Sequence, residues 1–288
     1  MQYIIMDLEW NTAYSKKRKG FFNEIIEFGA VRLNDRLEVS DSFQQLVGVQ
    51  ISKRITGLVT GLTNLKLADL SGGNPFPRVL SQFSKWVGRG DTVIMTWSNT
   101  DLLVLMDNIR YFTGQHAGIS FMKKYLDMQK LTQAYLRTSG AQQIGLKDAA
   151  LKLGITGEGF DLHRARDDCL LCAEIFRKVF SRQTVYDLVQ IVNDEFYERL
   201  LFKPYYISNS QSRHISPASF EFYCPDCSQK ARRLEEFRVR NRTFSARFRC
   251  SQCAKDFIGN LRVKRHYDFV VEKQKISPVR EETQKNSD

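Results

Sequence analysis

Near the start of the chain, Tyr3-Ile4-Ile5-Met6-Asp7-Leu8-Glu9 runs four apolar or aromatic side chains into a carboxylate, a leucine and a second carboxylate. An apolar run of this kind reads as a buried strand, on which alternate side chains share a face. Asp7 and Glu9 therefore point one way and Leu8 the other. Two acids at a buried strand end repel each other, and desolvation makes both costly. A cation is the usual remedy, and donors that are all carboxylate oxygens suit Mg²⁺ or Mn²⁺. Asp101 stands at the mouth of a helix, four residues after the buried-strand run Thr92–Trp97. Asp168 shares a helix stripe with Leu171, Cys172, Ile175 and Val179, an odd place for an acid unless something neutralises it. His163 lies five residues earlier. On a regular helix that spacing would turn it about 140° away, so it is expected in the preceding loop, where an imidazole can reach Asp168 and act as a base.

The elements that must position these groups can be read around them. Residues 24–33 and 37–49 are strand-like, so three antiparallel strands open the chain. Lys16-Lys17-Arg18-Lys19-Gly20 reads equally as a solvated hairpin tip and as a holder of phosphates. Residues 51–70 approximate a helical stripe weakened by Gly57 and Gly61. Val79–Val87 is a helix and Thr92–Trp97 a strand. Residues 119–127 read as a strand entering a helix at Met128–Leu136. Leu146–Leu153 is a helix ended by Gly154. Long helices are expected over Arg164–Phe180 and Thr184–Leu200. Strands followed by alternating strands and helices predict an α/β fold with a mixed sheet flanked by helices, over residues 1–200.

Beyond it the composition changes. Of the +11 formal charge, residues 201–288 supply 18 basic against 10 acidic side chains, and residues 1–200 hold 25 against 22. A basic segment beside a near-neutral body points to nucleic acid as partner. Residues 201–220 read as a linker and 272–288 as a disordered tail. Between them, Cys224-Pro-Asp-Cys227 and Cys250-Ser-Gln-Cys253 have the spacing of a four-thiolate structural zinc site in a small ribbon-like domain, 221–271. Phe237–Arg249 interleaves arginine with apolar and aromatic residues, a pattern for strands whose basic face could hold a single strand, or merely face solvent beside a zinc that replaces a small core. Cys169 and Cys172 fall on the core stripe of their helix and are expected as buried thiols. Paired cysteines without a secretory signal indicate a reduced, cytoplasmic protein, and no apolar run is long enough for a membrane span. The sequence carries no signal for an oligomeric state.

Asp7-Leu8-Glu9, Asp101 after a strand, and His163-x-x-x-x-Asp168 together resemble, in order and spacing, the DEDDh (DnaQ-like, RNase-T-like) 3′→5′ exonucleases over residues 1–180. Ile55-Thr56-Gly57-Leu58 looks like the glycine-containing stretch that family carries between its first two acidic motifs. The resemblance is nearest to KapD-like and Eri-type members. It departs at Trp10-Asn11 and in the charged run Arg164–Asp167. It implies an RNase H-like sheet, two Mg²⁺ or Mn²⁺ held by Asp7, Glu9, Asp101 and Asp168, His163 as the base that deprotonates water, and release of nucleoside 5′-monophosphates. Trp10 and Phe160 are candidates by position for stacking the terminal base, with Phe160 read more readily as core. The leading expectation is an exonuclease on single-stranded nucleic acid, RNA before DNA, with one structural Zn²⁺ in the second domain. A DNA exonuclease of repair or proofreading, and a non-catalytic zinc-ribbon nucleic-acid-binding protein, are the alternatives.

Overall fold

Apolar side chains on both faces make the first strand the spine of the molecule. In the computed structural model, which describes residues 2–114, 118–138, 143–156 and 159–279, β1 (Gln2–Ser15) lies between β2 (Gly20–Leu33), antiparallel, and β4 (Thr92–Thr96), parallel. With β3 (Val39–Leu46), β5 (Lys124–Asp127) and β6 (Gln190–Ile191) they form one mixed sheet of order β3-β2-β1-β4-β5-β6. The helices are α1 (Gly57–Thr63), α2 (Leu67–Leu70), α3 (Phe76–Val87), α4 (Thr100–Thr113), α5 (Met128–Tyr135), α6 (Leu146–Lys152), α7 (Ala165–Val179), α8 (Arg182–Leu188) and α9 (Asp194–Leu201). The two faces of β1 feed two cores. Tyr3 and Ile5 pack with Met95, Leu126, Leu131, Leu171, Ile175 and Phe176 under α5–α8. Ile4, Met6 and Leu8 pack with Phe28, Phe83, Leu102 and Leu105 under α3 and α4. Period two thus puts Asp7 and Glu9 on the α7 side, in the row begun by Tyr3 and Ile5.

Several elements differ from the sequence expectation for local reasons. β1 does not end at Glu9. A bulge between Glu9 and Trp10 lets pairing with β2 continue to Ser15, and Lys16–Lys19 form the hairpin turn. The stripe over 51–70 resolves into two short helices, because Asn64 takes a left-handed conformation (φ 58°) that stops α1. The helix expected over Thr184–Leu200 splits into α8, β6 and α9. The β-branched run Val189–Val192 prefers a strand, and Asn193 then caps a new helix by accepting from the Phe196 N–H at 2.9 Å. Ser139–Ile144 and Gly154–Gly159, both loop-like in sequence, lie partly outside the described residues.

The chain divides into two units, Met1–Leu200 and Leu201–Asp288. The second is a sheet of β7 (Tyr205–Tyr206), β8 (Arg232–Arg233), β9 (Arg238–Arg240), β10 (Thr243–Arg249), β11 (Asp256–Arg265) and β12 (Val270–Pro278), with the path β12-β11-β10-β8. Its boundaries correct the sequence reading twice. Residues 201–220 are not a free linker: β7 pairs with β11, and Ile207 and Ile215 are buried in the unit's own core. Nor does disorder begin at 272, since β12 pairs with β11 from Val270 to Pro278. Its polar residues are contacts: Glu272 accepts from Ser219 Oγ at 2.8 Å, and Gln274 donates to the Ser219 carbonyl at 2.8 Å. Residues 280–288 lie outside the described ones.

Candidate active site and cysteine cluster

β4 pairs with β1 only as far as Ile5, so the next stretch of β1 lacks a neighbour on that side. Asp101, in the first turn of α4, fills the gap: its Oδ1 accepts from the Leu8 N–H at 3.2 Å. The acid is thereby fixed where the parallel strands end, the usual ligand position in open α/β sheets.

Asp168 is placed by a close approach. Gly29 is the β2 partner of Asp7, and a Cβ on Gly29 would lie 2.3 Å from the Ala165 carbonyl carbon and 2.4 Å from the Arg166 nitrogen. The missing side chain lets the first turn of α7 rest on the sheet beside Asp7. Just before that turn His163 is left-handed (φ 67°), a conformation uncommon for a residue with a side chain and frequent at functional sites. Its N–H donates to Asp168 Oδ2 at 3.2 Å. As a result Glu9, His163 and Asp168 bring ligand atoms within 4.8 Å of one another. Asp167 is occupied elsewhere, accepting from the Asp161 N–H at 3.2 Å. Trp10 is half-buried against the core that holds Leu8, and Phe160 against the α7 core.

Two acids that sequence reasoning passed over support this arrangement. Glu27 stands directly across from Glu9 and is fully buried, a like-charge pair that would destabilise the sheet by itself. Arg164 answers Glu27 with a two-pronged contact, Nη2 to Oε1 at 2.8 Å and Nε to Oε2 at 3.1 Å, and so ties the His163 loop to β2. An acid inside the apolar run Ile25–Val31 was the available signal. Glu24 accepts from the backbone N–H groups of Gln50, Ile51 and Ser52 at 2.6, 2.9 and 2.7 Å. Asn11, fully buried, donates to Ser52 Oγ and the Arg54 carbonyl and accepts from the Thr56 N–H. Together they fasten residues 50–56 to the hairpin, which gives Asn11 a structural role.

The electrostatics of the acids follow from this enclosure. Burial pushes Asp7 well above the ordinary carboxylate range, and the charges of Asp101, Asp168, Glu9 and Glu27 add to the effect. Burial, then Asp168, Glu27 and Asp101, push Glu9 up to about 8 against the pull of Arg164. Burial raises Asp101 to about 7 and Asp168 to about 6, in each case against backbone hydrogen bonds. Four oxygen donors that repel one another, with no basic side chain pairing any of the four among the described residues, are a donor set that fits hard divalent cations.

In the second unit, Cys224, Cys227, Cys250 and Cys253 bring their sulfurs within 4.8 Å of one another. Cys227 and Cys250 are 3.5 Å apart, near the ~3.8 Å edge of a tetrahedron with 2.3 Å metal–sulfur bonds. The two knuckles are built alike. Cys224 N–H donates to the Gln229 carbonyl at 2.8 Å and Cys250 N–H to the Lys255 carbonyl at 2.9 Å, and Ser228 and Ala254 are both left-handed. The four thiols fit a soft tetrahedral ion. Cys169 and Cys172, by contrast, are buried in the first core, where desolvation holds both thiols far above their ordinary value.

The Arg-rich segment is arranged differently from its sequence pattern. Phe244 and Phe248 point into the core with Phe222 and Phe257, so these aromatics are not stacking platforms. Arg247 and Arg249 both pair with Asp256. The outward basic row lies across other strands: Arg240 on β9 and Arg262 on β11 flank Thr243, and Lys273 on β12 continues it. Arg242, Arg262 and Lys264 lie within 5.5–5.8 Å of the Tyr206 ring.

A mixed sheet that carries Asp7, Glu9, Asp101, Asp168 and His163 near its parallel strand ends fits the DEDDh class of nuclease. The exonuclease family, RNase T, matches residues 4–176. The DNA polymerase III epsilon subunit of Aquifex aeolicus is 30% identical over 62% of this chain and 80% of its own length. The 3′-5′ exoribonuclease 1 of Mus musculus is 35% identical over 54% of this chain, which spans about half (46%) of that protein. Among solved structures, the nuclease domain of 3′hExo, a DEDDh family member bound to rAMP, superposes with a TM-score of 0.54 at 23% identity, over 67% of this chain and 96% of that one. The chain belongs to the RNase T exonuclease family and is a 3′→5′ exonuclease of the DEDDh class. Such exonucleases use divalent metals. No helix among the described residues is long and apolar enough to cross a membrane.

Proposed function

We propose that the protein removes nucleoside 5′-monophosphates one at a time from the 3′ end of single-stranded RNA. The observation that carries the reading is that Glu9, Asp168 and His163 bring ligand atoms within 4.8 Å of one another, with Asp7 and Asp101 near enough for the acids to act on one another through their charges. Asp7, Glu9, Asp101 and Asp168 would hold two Mg²⁺ or Mn²⁺, and the chemistry such ions supply when bound is stabilisation of the attacking and leaving oxygens. His163, exposed and turned toward Glu9 and Asp168, takes the proton of the attacking water. Arg164 and Glu27 position the loop that carries it. The mouse exoribonuclease and the rAMP-bound nuclease domain support RNA as substrate. The decisive assay incubates 5′-labelled RNA and DNA strands with the full chain and Mg²⁺ or Mn²⁺. A ladder shortening from the 3′ end of RNA is expected. No shortening of either strand would sink the reading, and a ladder on DNA alone would make it a DNA exonuclease.

For the second unit we propose one structural Zn²⁺ on the four cysteines and a role in gripping substrate through the outward row of Arg240, Arg262 and Lys273. The module's core is small, and a tetrahedral ion supplies what its apolar contacts do not. Elemental analysis of the full chain is expected to give one zinc, and Cys250→Ser to lose the metal and expose the second unit to protease. A metal-free preparation with an intact second unit would rule the site out.

A further inference from the structure

Past Glu9, β1 and β2 carry on as a hairpin arm, and α4 runs beside them. Asp101 holds Leu8 at one end of α4, and at the other Tyr111 exchanges a 2.9 Å hydrogen bond with Ser15. Ten residues of helix separate the two, so the far end of the arm is about 15 Å from the acids. There the arm and residues 50–56 enclose a cleft of about 670 Å³, within the size range of ligand sites. Its wall is built and held. Buried Glu24 spends its carboxylate on three backbone N–H groups of that segment, and buried Asn11 holds Arg54 and Thr56.

The lining is cationic and aromatic. Lys16, Lys17, Lys53 and Arg54 face the cleft together with Tyr14 and Phe21, and no carboxylate residue is among the lining side chains. Lys17 is engaged by the Tyr111 carbonyl and ring. Lys16, Lys53 and Arg54 are exposed and have no ion-pair partner among the described residues. Tyr14 and Phe21 are 59% and 77% exposed, meeting edge to face at 6.1 Å. Two bare rings of this size on a strand arm contribute nothing to either core. Cations that follow a phosphate backbone, combined with exposed rings on which bases stack, are the means by which proteins hold single strands without reading sequence.

We propose that this cleft is an upstream subsite: it holds the phosphates and bases of nucleotides that precede the terminal one, while the terminal nucleotide sits at the acids. The proposal rests on the exonuclease reading for its polarity. A single strand leaving the acid cluster along β1 meets Lys53 and Arg54 on one wall and Tyr14 and Phe21 on the other. The enzyme therefore favours substrates long enough to reach the arm, and salt weakens that preference.

The test uses the full chain, its Lys53→Glu/Arg54→Glu variant and, separately, Phe21→Ala, whose ring is exposed enough to leave without disturbing either core. Binding of a labelled single-stranded decamer is followed by fluorescence anisotropy in EDTA, and hydrolysis of decamer and dinucleotide is followed with metal. The double variant is expected to bind the decamer about tenfold more weakly, with a shallower salt dependence. Its KM for the decamer rises by a similar factor, and the ratio of decamer to dinucleotide kcat/KM collapses. Phe21→Ala shows the same pattern, more weakly. Unchanged decamer binding in EDTA, or equal slowing of long and short substrates, overturns the subsite. A wild-type chain that binds the decamer through these residues yet hydrolyses neither substrate overturns the exonuclease reading and leaves the cleft as a strand-binding site.

Discussion

Replacing Asp7 by Asn is expected to make the metal-free protein more stable and the enzyme nearly inactive. Asp7 is the acid most enclosed by other acids. Its carboxylate is pushed far up by burial and by Asp101, Asp168, Glu9 and Glu27. An amide of the same shape cannot ionise, so the metal-free fold no longer carries the cost of a buried carboxylate beside those four charges. The pH dependence has a definite sign. In the unfolded chain these acids lose their protons near pH 4, while in the metal-free fold Asp168, Asp101 and Glu9 keep theirs to about 6, 7 and 8. Between those limits the folded state binds more protons, so wild-type stability falls as pH rises from about 4 to about 8. Divalent cations held by these carboxylates would reverse the effect by taking the place of the protons. Calorimetry across that range should therefore show a declining melting temperature in EDTA and a flatter one with Mg²⁺ or Mn²⁺. Each kcal/mol relieved in Asp7→Asn raises the melting temperature by roughly 2–4 °C. Turnover should drop by about 10²–10³-fold, the scale for losing one charge-stabilising group at a reacting centre. A variant that keeps wild-type turnover, or one that melts lower in EDTA, would contradict the account of the site.

The second large effect comes from a residue with no side chain. Gly29→Ala places a methyl 2.3 Å from a backbone carbon and 2.4 Å from a backbone nitrogen at the start of α7. Neither atom can rotate aside, so the helix start must lift off the sheet. Forced overpacking of this kind costs about 1–3 kcal/mol. The catalytic penalty is larger, because the lifted turn carries Asp168 and the His163 loop. A displacement of about 1 Å at a reacting centre is worth roughly 10²-fold in rate, so kcat should fall by about that factor while the fold survives. Gly20→Ala is the matched control, since its added Cβ meets nothing within 4 Å. Wild-type kcat in Gly29→Ala would show that α7 does not need this close approach.

What could be read from the sequence was whatever rested on period and chemical type. Alternation along Tyr3–Glu9 put the two acids on one face, and the helix stripe around Asp168 brought it to the same core. Less legible was anything set by tertiary contact. Glu27 looked like one acid in a strand, and only its position across from Glu9 and under Arg164 shows why it is there. Gly29 carries no pattern at all, and its meaning is the helix that lands on it. In the second unit, alternation in Phe237–Arg249 identified strands correctly but not their partners. Asp256 neutralises two of the arginines, and the phenylalanines turn inward. Polar composition hid β12 because the partners of its polar side chains Glu272 and Gln274, Ser219 and Glu221, lie about fifty residues away.

That last strand has a practical consequence. β12 covers one side of β11 along its whole length, from Phe257 to Arg265. A chain shortened at residue 271, where composition would place the end of the module, would leave most of that backbone ladder without a partner. Beneath it lies a sheet rich in phenylalanine. Open edges of this length recruit strands from other molecules, so the shortened protein would collect in multimers or precipitate even with its cysteine cluster intact. The solubility of the nuclease thus depends on a segment more than a hundred residues from its acids, through the closure of a sheet in the other unit.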